Sequence, residues 1–279
     1  MSTNLSAAFI AQFDAEVKQA YQGMGKLRPT IKTRQGVVGS TYRFPKIGKG
    51  LASPRVPQTD VVPMNIAHSN ATAVLEDWNA PEYTDIFDQA KVNFDERQEL
   101  AQVVGGSISR RLDQLIIDAA DAGANATQVP TSVGATAGLN VDKLRRSKRL
   151  LDEKGVPTED RIFALSSIAL EQLLGETEAT SADFNTVRAL VNGQIDTYLG
   201  FKFLMIEDRA EAGLPITGGN VRTCFAYHKQ ALGLAIGMDL NTKIDWIPEK
   251  TSWLINGSFS AGAITIDDEG VYEVLVDES

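Results

Sequence analysis

The sequence contains a single cysteine, Cys224, and only two histidines, His68 and His228. One cysteine excludes an internal disulfide and fits a reducing compartment. Cys and His do not recur at metal-ligand spacings, so no metal is expected. A lone histidine is more often a surface or satisfied core residue than a ligand, and both are read that way. No stretch approaches the ~20 consecutive apolar residues of a membrane span, so no membrane partner is expected. The first residues, MSTNLSAAFIAQFDAEV, lack a basic n-region and do not read as a secretory signal. The chain is expected to stay in the cytoplasm that makes it, or to leave by lysis.

Catalytic patterns are also missing. NGSFSAG at residues 256–262 falls short of a nucleophile elbow, because position 258 is serine where the motif around Ser260 needs glycine. Lys49 lies between Gly48 and Gly50, but the spaced glycines and following Lys-Ser/Thr of a phosphate loop are absent. With no acid–base pair standing out from an acidic surface, neither an enzyme nor a cofactor is expected.

Acidic residues are absent from one long segment. Residues 26–55 carry Lys26, Arg28, Lys32, Arg34, Arg43, Lys46, Lys49 and Arg55 and not one Asp or Glu. Residues 1–55 hold nine basic and two acidic side chains, a net of +7, while residues 56–279 hold 18 and 34, a net of −16. An overall charge of −9 argues against general nucleic-acid affinity. A basic arm on an acidic body is expected to lie on other bodies of the same kind, with nucleic acid as the competing partner.

What is present in abundance is one apolar stripe. In residues 93–121, Leu100, Val104, Ile108, Leu112, Leu115 and Ala119 recur every three or four positions, widened by Val103 and Ile116. Asn93 followed by Glu96 is a helix-start signal, and Gly123 stands where a C-terminal cap belongs. Such a helix would run about 40 Å and needs a sheet against its apolar face. Gly105-Gly106 interrupts it, read either as close approach of a packed neighbour or as a bend point.

Around this spine the chain falls into order. Leu5, Phe9, Phe13, Val17 and Tyr21 form a second stripe at helical spacing, fit to pack on the parent core, a partner subunit or an assembly factor. Residues 37–44 and 64–75 read as two polar strands joined by a Gly- and Pro-rich stretch, too poor in large apolar residues for a core of their own. Trp78-Asn79-Ala80-Pro81 is expected to close this ribbon, with residues 82–91 leading into the spine. Helices are predicted at 141–153, 167–174 and 183–190. Strands are predicted at 161–165, 202–207, 224–228 and 232–237, and together these make an α/β middle layer. TKIDWIP, SWLINGSFSAGAITID and GVYEVLVDE then read as strands of the sheet that the spine covers.

The segments GSISRRLDQLIIDAADAG, VNGQIDTYLGFKFLMIEDR, HKQALGLAIGMDL and NGSFSAGAITIDDEGVYEV, in this order, resemble the major capsid proteins of tailed bacteriophages, the Hong Kong 97 fold. PQTDVVPMN and DWNAPEYTDIFDQAKVNFDER are most similar to the capsid proteins of short-tailed phages. The resemblance implies an α+β fold with an N-terminal arm at 1–35 and an extended β-hairpin loop at 36–77. It implies a peripheral domain with the spine helix at 78–128 and 241–279, and an inserted axial domain at 129–240. It further implies self-assembly into hexamers and pentamers that close into an icosahedral shell around double-stranded DNA, held non-specifically on the inner surface. The virion would be its place, after assembly in the host bacterial cytoplasm. A portal protein at one vertex and decoration proteins are further partners in that family. About ninety residues precede the spine, so a separate scaffolding protein is expected rather than a cleaved N-terminal one. Some members link a ribbon lysine to a neighbour's asparagine. Lys46 and Lys49 lie in that region, but no matching asparagine and acid stand out, so no cross-link is expected. The eight basic residues of 26–55 are the expected inter-subunit contacts, and Gly105 and Gly106 the expected helix bend. An encapsulin-like nanocompartment shell and a nucleic-acid-binding protein using the basic arm are the alternatives.

Overall fold

The computed structural model of the protein describes residues 24–89, 96–176 and 197–279. Its elements are β1 (Lys32–Gln35), β2 (Thr41–Ile47), β3 (His68–Val74), β4 (Glu76–Asp85), α1 (Ile86–Gln89), α2 (Glu96–Gly123), α3 (Val141–Glu153), β5 (Arg161–Leu165), α4 (Ser167–Gly175), β6 (Thr197–Tyr198), β7 (Phe201–Met205), β8 (Ile216–Thr217), β9 (Val221–His228), β10 (Leu232–Ile247), β11 (Ser252–Thr265) and β12 (Val271–Asp277). The predicted stripes at 5–21 and 183–190, and Asn93, lie outside the described residues.

Two sheets share the spine helix α2. The first runs β1-β10-β11-β4 and the second β12-β9-β5-β7-β6, with β8 on β9. Val104, Ile108 and Leu112 are buried along α2, as the stripe requires. Farther on the buried positions are Ile116, Ile117 and Ala120, whereas Leu115 is only partly covered. The shift has a cause: Ile116, Ile117 and Ala120 gather with Ala164, Phe225 and Tyr227 of the second sheet. One half of the helix serves one sheet and the other half turns toward the next, so a single core crosses both.

Local signals account for the shorter elements. Asn140 Oδ1 accepts the Lys143 amide at 2.8 Å and caps α3. At its other end Gly155 takes φ +73°, while the Val156 amide returns to the Leu151 carbonyl at 3.0 Å, a left-handed helix stop. Ser166 caps α4 by accepting the Ala169 amide at 3.0 Å, and its own hydroxyl donates to Glu278. Arg222 donates to the same carboxylate at 2.7 Å, which fastens the C-terminal end to the second sheet.

Several sequence expectations are corrected. GVYEVLVDE does not join the sheet under the spine; β12 pairs antiparallel with β9 in the second sheet. β9 is buried along seven of its eight residues, so the backbone groups on both its edges need strand partners, and β12 supplies one side. Conversely, residues 232–237 open β10 and belong to the first sheet. Trp78–Pro81 does not close the ribbon but is part of β4, where Pro81 stands opposite Asn256 on an edge strand that needs no outward N–H. Gly123 is the last helical residue without a left-handed φ, and a Cβ there would run into Thr265, so close packing rather than capping explains it. Thr265 Oγ1 donates to the Ala119 carbonyl at 2.7 Å across that contact.

Candidate inter-subunit surface

The polar ribbon is β2 and β3, paired antiparallel from Thr41↔Val74 to Ile47↔His68. Its base is not bare. Phe44 and Ala73 are buried against Ala235, with Leu75, Ile264 and Ile266 around them. Tyr42 meets Phe44 edge-on at 4.8 Å. Two glycines make room: a Cβ on Gly233 would lie 2.9 Å from the Phe44 ring, and one on Gly262 would collide with the Val74 carbonyl. The ribbon base therefore has an apolar seat on its own body, although its strands are too poor in large apolar residues for a core of their own.

Beyond that seat the chain is uncovered. Residues 51–65 are all exposed, and they include Leu51 (87% exposed) and Val61 (91%). Gln58 and Asn65 turn through positive φ within this tip.

The eight basic residues divide into two groups. Lys26 pairs with Glu207, and its amide and that of Leu27 donate to Asp113 of the spine at 2.7 and 3.1 Å. Burial raises the Asp113 pKa, against the pull of those two amides. Arg28 donates twice to Asp239, at 2.9 and 2.7 Å, holding that carboxyl below its usual range. Lys46 reaches Asp267 at 2.8 Å and Asp268 at 3.8 Å, and the bond to Asp267 raises its pKa. Lys49 reaches Glu269 at 2.5 Å, lowering that carboxyl, and Lys154 approaches the same group at 3.7 Å. These four cations are thus joined to acids of their own chain. Lys32, Arg34, Arg43 and Arg55 are exposed and pair with no acid among the described residues. Four cations of the arm are thus tied to their own body, and the other four carry charge that meets no acid among the described residues. Sequence reasoning missed the acid half of this arrangement, because Asp267, Asp268 and Glu269 lie more than 200 residues from Lys46 and Lys49.

His228 is buried, which lowers its pKa, and its Nδ1 accepts the Gln230 amide at 3.3 Å. His68 is exposed at the ribbon's end. Ser260 lies inside β11, opposite Met238 and Asp77, with no strand-to-helix turn. Among the described residues no group of His, Cys, Asp and Glu is placed to hold a metal, and burial pushes the Cys224 thiol up to about 12. Gly105-Gly106 lies inside an unbroken α2; nothing stands within 4 Å of a Cβ on Gly105, whereas Gly106 is buried.

The profile of the phage capsid protein family matches residues 5–278. The chain belongs to that family. No curated protein matches the sequence. The fold is similar to that of the capsid of cyanophage P-SCSP1u, at 18% identity, TM-score 0.76, covering 98% of this chain and 94% of that one. It is similar to a chain of the head structure of Helicobacter pylori bacteriophage KHP40, at 11% identity, TM-score 0.79, covering 96% of each. The acid-stable capsid of Helicobacter pylori bacteriophage KHP30 matches at 12% identity and TM-score 0.76, covering 100% and 99%. At these identities the likeness is one of fold. The chain is a phage capsid protein with an α+β architecture, and its place is the capsid.

Proposed function

We propose that this capsid protein is the major shell subunit of a tailed phage, forming hexamers and pentamers that close into an icosahedral shell around double-stranded DNA. The observation that carries the proposal is the ribbon: it is seated at its base and bare at its tip. Apolar side chains such as Leu51 and Val61 have no cover among the described residues, and burying each would gain ~1.5–3 kcal/mol. A neighbouring body of net negative charge is a natural seat for them, with Arg43 and Arg55 as steering cations. The role is structural rather than catalytic. A separate scaffolding protein guides assembly, a portal protein occupies one vertex, decoration proteins are additional partners, and the genome is held without sequence preference. Assembly takes place in the host bacterial cytoplasm.

Sedimentation of the full chain, alone and together with its scaffolding protein, tests this reading. Fast-sedimenting closed particles are expected, with material deleted of residues 51–65 remaining near the top of the gradient. Particles that form equally well without the ribbon tip would overturn it.

A further inference from the structure

We infer that the free edge of β10, residues 241–247, pairs antiparallel with the same edge of a second copy, about a twofold axis at Ile244. The inference rests on the assembly reading above and adds a contact through which subunits meet. β1 occupies the outer side of β10 only at residues 233–236. From 241 to 247 that side has no strand among the described residues, although β11 pairs regularly on the other. A free edge is a row of unpaired N–H and C=O groups, and proteins normally guard it. The opposite edge of the sheet is guarded: β4 carries Glu76, Asp77, Pro81 and Glu82. The β10 edge, NTKIDWI, has no proline and balanced charge.

Its two faces identify the occupant. Ile244 and Trp246 stand opposite Ile255 and Trp253, and cross-strand partners share a face. Ile255 is fully covered, yet Ile244 is 41% and Trp246 38% exposed. Apolar surface therefore runs past the covered strand and ends at the open edge. On the other face Lys243 and Asp245 are exposed and pair with no charged group among the described residues.

This pattern is complementary to itself. In an antiparallel pair with Ile244 facing Ile244 of the second copy, Lys243 faces the second copy's Asp245 and Asp245 its Lys243. Thr242 and Trp246 face each other on the apolar side. An in-register parallel pair would instead set each charge beside its like, which is unfavourable. A twofold axis makes the contact isologous, with one patch serving both partners. Seven residues per strand fall well short of the ~800 Å² per partner of a stable dimer. The contact is thus weak alone and cumulative in a shell.

Disulfide trapping tests it on the full chain, in assembled shells and in concentrated unassembled subunit. Directly opposed residues lie ~4.5–5.5 Å apart at Cα, within disulfide reach. The native Cys224 is buried and gives little background. Under mild oxidation Ile244→Cys is expected to run mostly as a self-linked dimer on a non-reducing gel. Asn241→Cys, six residues from its own copy across the axis, should link at least tenfold less. Adding Lys243→Asp or Asp245→Lys to the Ile244→Cys variant should slow trapping several-fold, and both together should restore it. Absence of the dimer in both preparations, equal linking at 241 and 244, or no rescue by the double swap would overturn the inference. Shells visible by electron microscopy without the cross-link would sink this contact while leaving the capsid reading intact.

Discussion

Lys46 Nζ stands 2.8 Å from Asp267 Oδ1, so the ribbon is tied to its own subunit before any neighbour reaches it. Asp267 opens the short turn that carries the chain from the first sheet to the second, so ribbon, body and sheet junction meet at one place. Lys49 and Glu269 add a second tie there. Partly exposed pairs of this kind are worth only ~0–1 kcal/mol each, enough to set the ribbon's angle without fixing it permanently.

The ties have a pH window. Lys46 is raised by its bond to Asp267, so its contribution is present below the ordinary lysine pKa and lost as pH climbs through the raised value. Glu269 is lowered by Lys49, so its contribution is present at neutral pH and lost as pH falls through the carboxylate range. Limited proteolysis of the unassembled subunit should therefore cut the ribbon several-fold faster at about pH 4 than at pH 7. Lys46→Ala with Lys49→Ala should abolish most of that difference.

The split among the basic residues separates folding from assembly. Arg43→Glu with Arg55→Glu touches only exposed cations that pair with no acid among the described residues, and should leave thermal unfolding unchanged within about 0.5 kcal/mol. The same variant should sediment as free subunit under conditions where the native chain forms particles. Native assembly should weaken with salt, since exposed charges beyond ~8 Å are screened at physiological ionic strength. A marked loss of thermal stability would place these two arginines in the subunit's own fold.

Much of this architecture was legible in the sequence, and the failures have physical causes. The spine, α3 and β5 declared themselves through 3.6-residue periodicity and a short apolar run, both of them local signals. Which sheet took residues 232–237 and β12 did not, because 232–237 run on into the same long strand as 242–247, and the partner of β12 is β9, which precedes β10 and β11 in the chain. The eight cations were visible as a block, but that Lys26, Arg28, Lys46 and Lys49 pair within the chain depends on acids some 180 to 220 residues away. The ribbon looked too poor in large apolar residues for a core because the pocket around Phe44 is built from Ala235, Ile264 and Ile266, far along the chain.

Glycines offer opposite outcomes in one protein. Gly105→Ala meets open space on a helix and should stabilise the subunit by about 0.5–1 kcal/mol. Gly262→Ala drives a methyl group into the Val74 backbone and should destabilise it and loosen the ribbon base. Urea unfolding midpoints check both. We propose in addition that Gly105-Gly106 lets the spine bend by different amounts in non-equivalent subunits, so that Gly105→Ala with Gly106→Ala yields aberrant shells.

Lys143 gives the second sheet its own pH signature. Its ammonium is buried, donating to the Ala137 and Leu275 carbonyls, and burial lowers its pKa to about 8. Between about pH 8 and the ordinary lysine value near 10.5, the unfolded chain binds the extra proton, so stability rises with pH across that interval. The urea midpoint should climb from pH 8 to 10 in the native chain and stay flatter in Lys143→Met.

Cryo-electron microscopy of particles assembled from the full chain tests the central claim most directly. The account requires closed shells of five- and sixfold capsomers, with residues 51–65 of each subunit lying over a neighbour's acidic body and Lys46 still beside Asp267 of its own chain. Shells in which the ribbon tip touches only its own subunit, or a chain that stays monomeric even with its scaffolding protein, would contradict it.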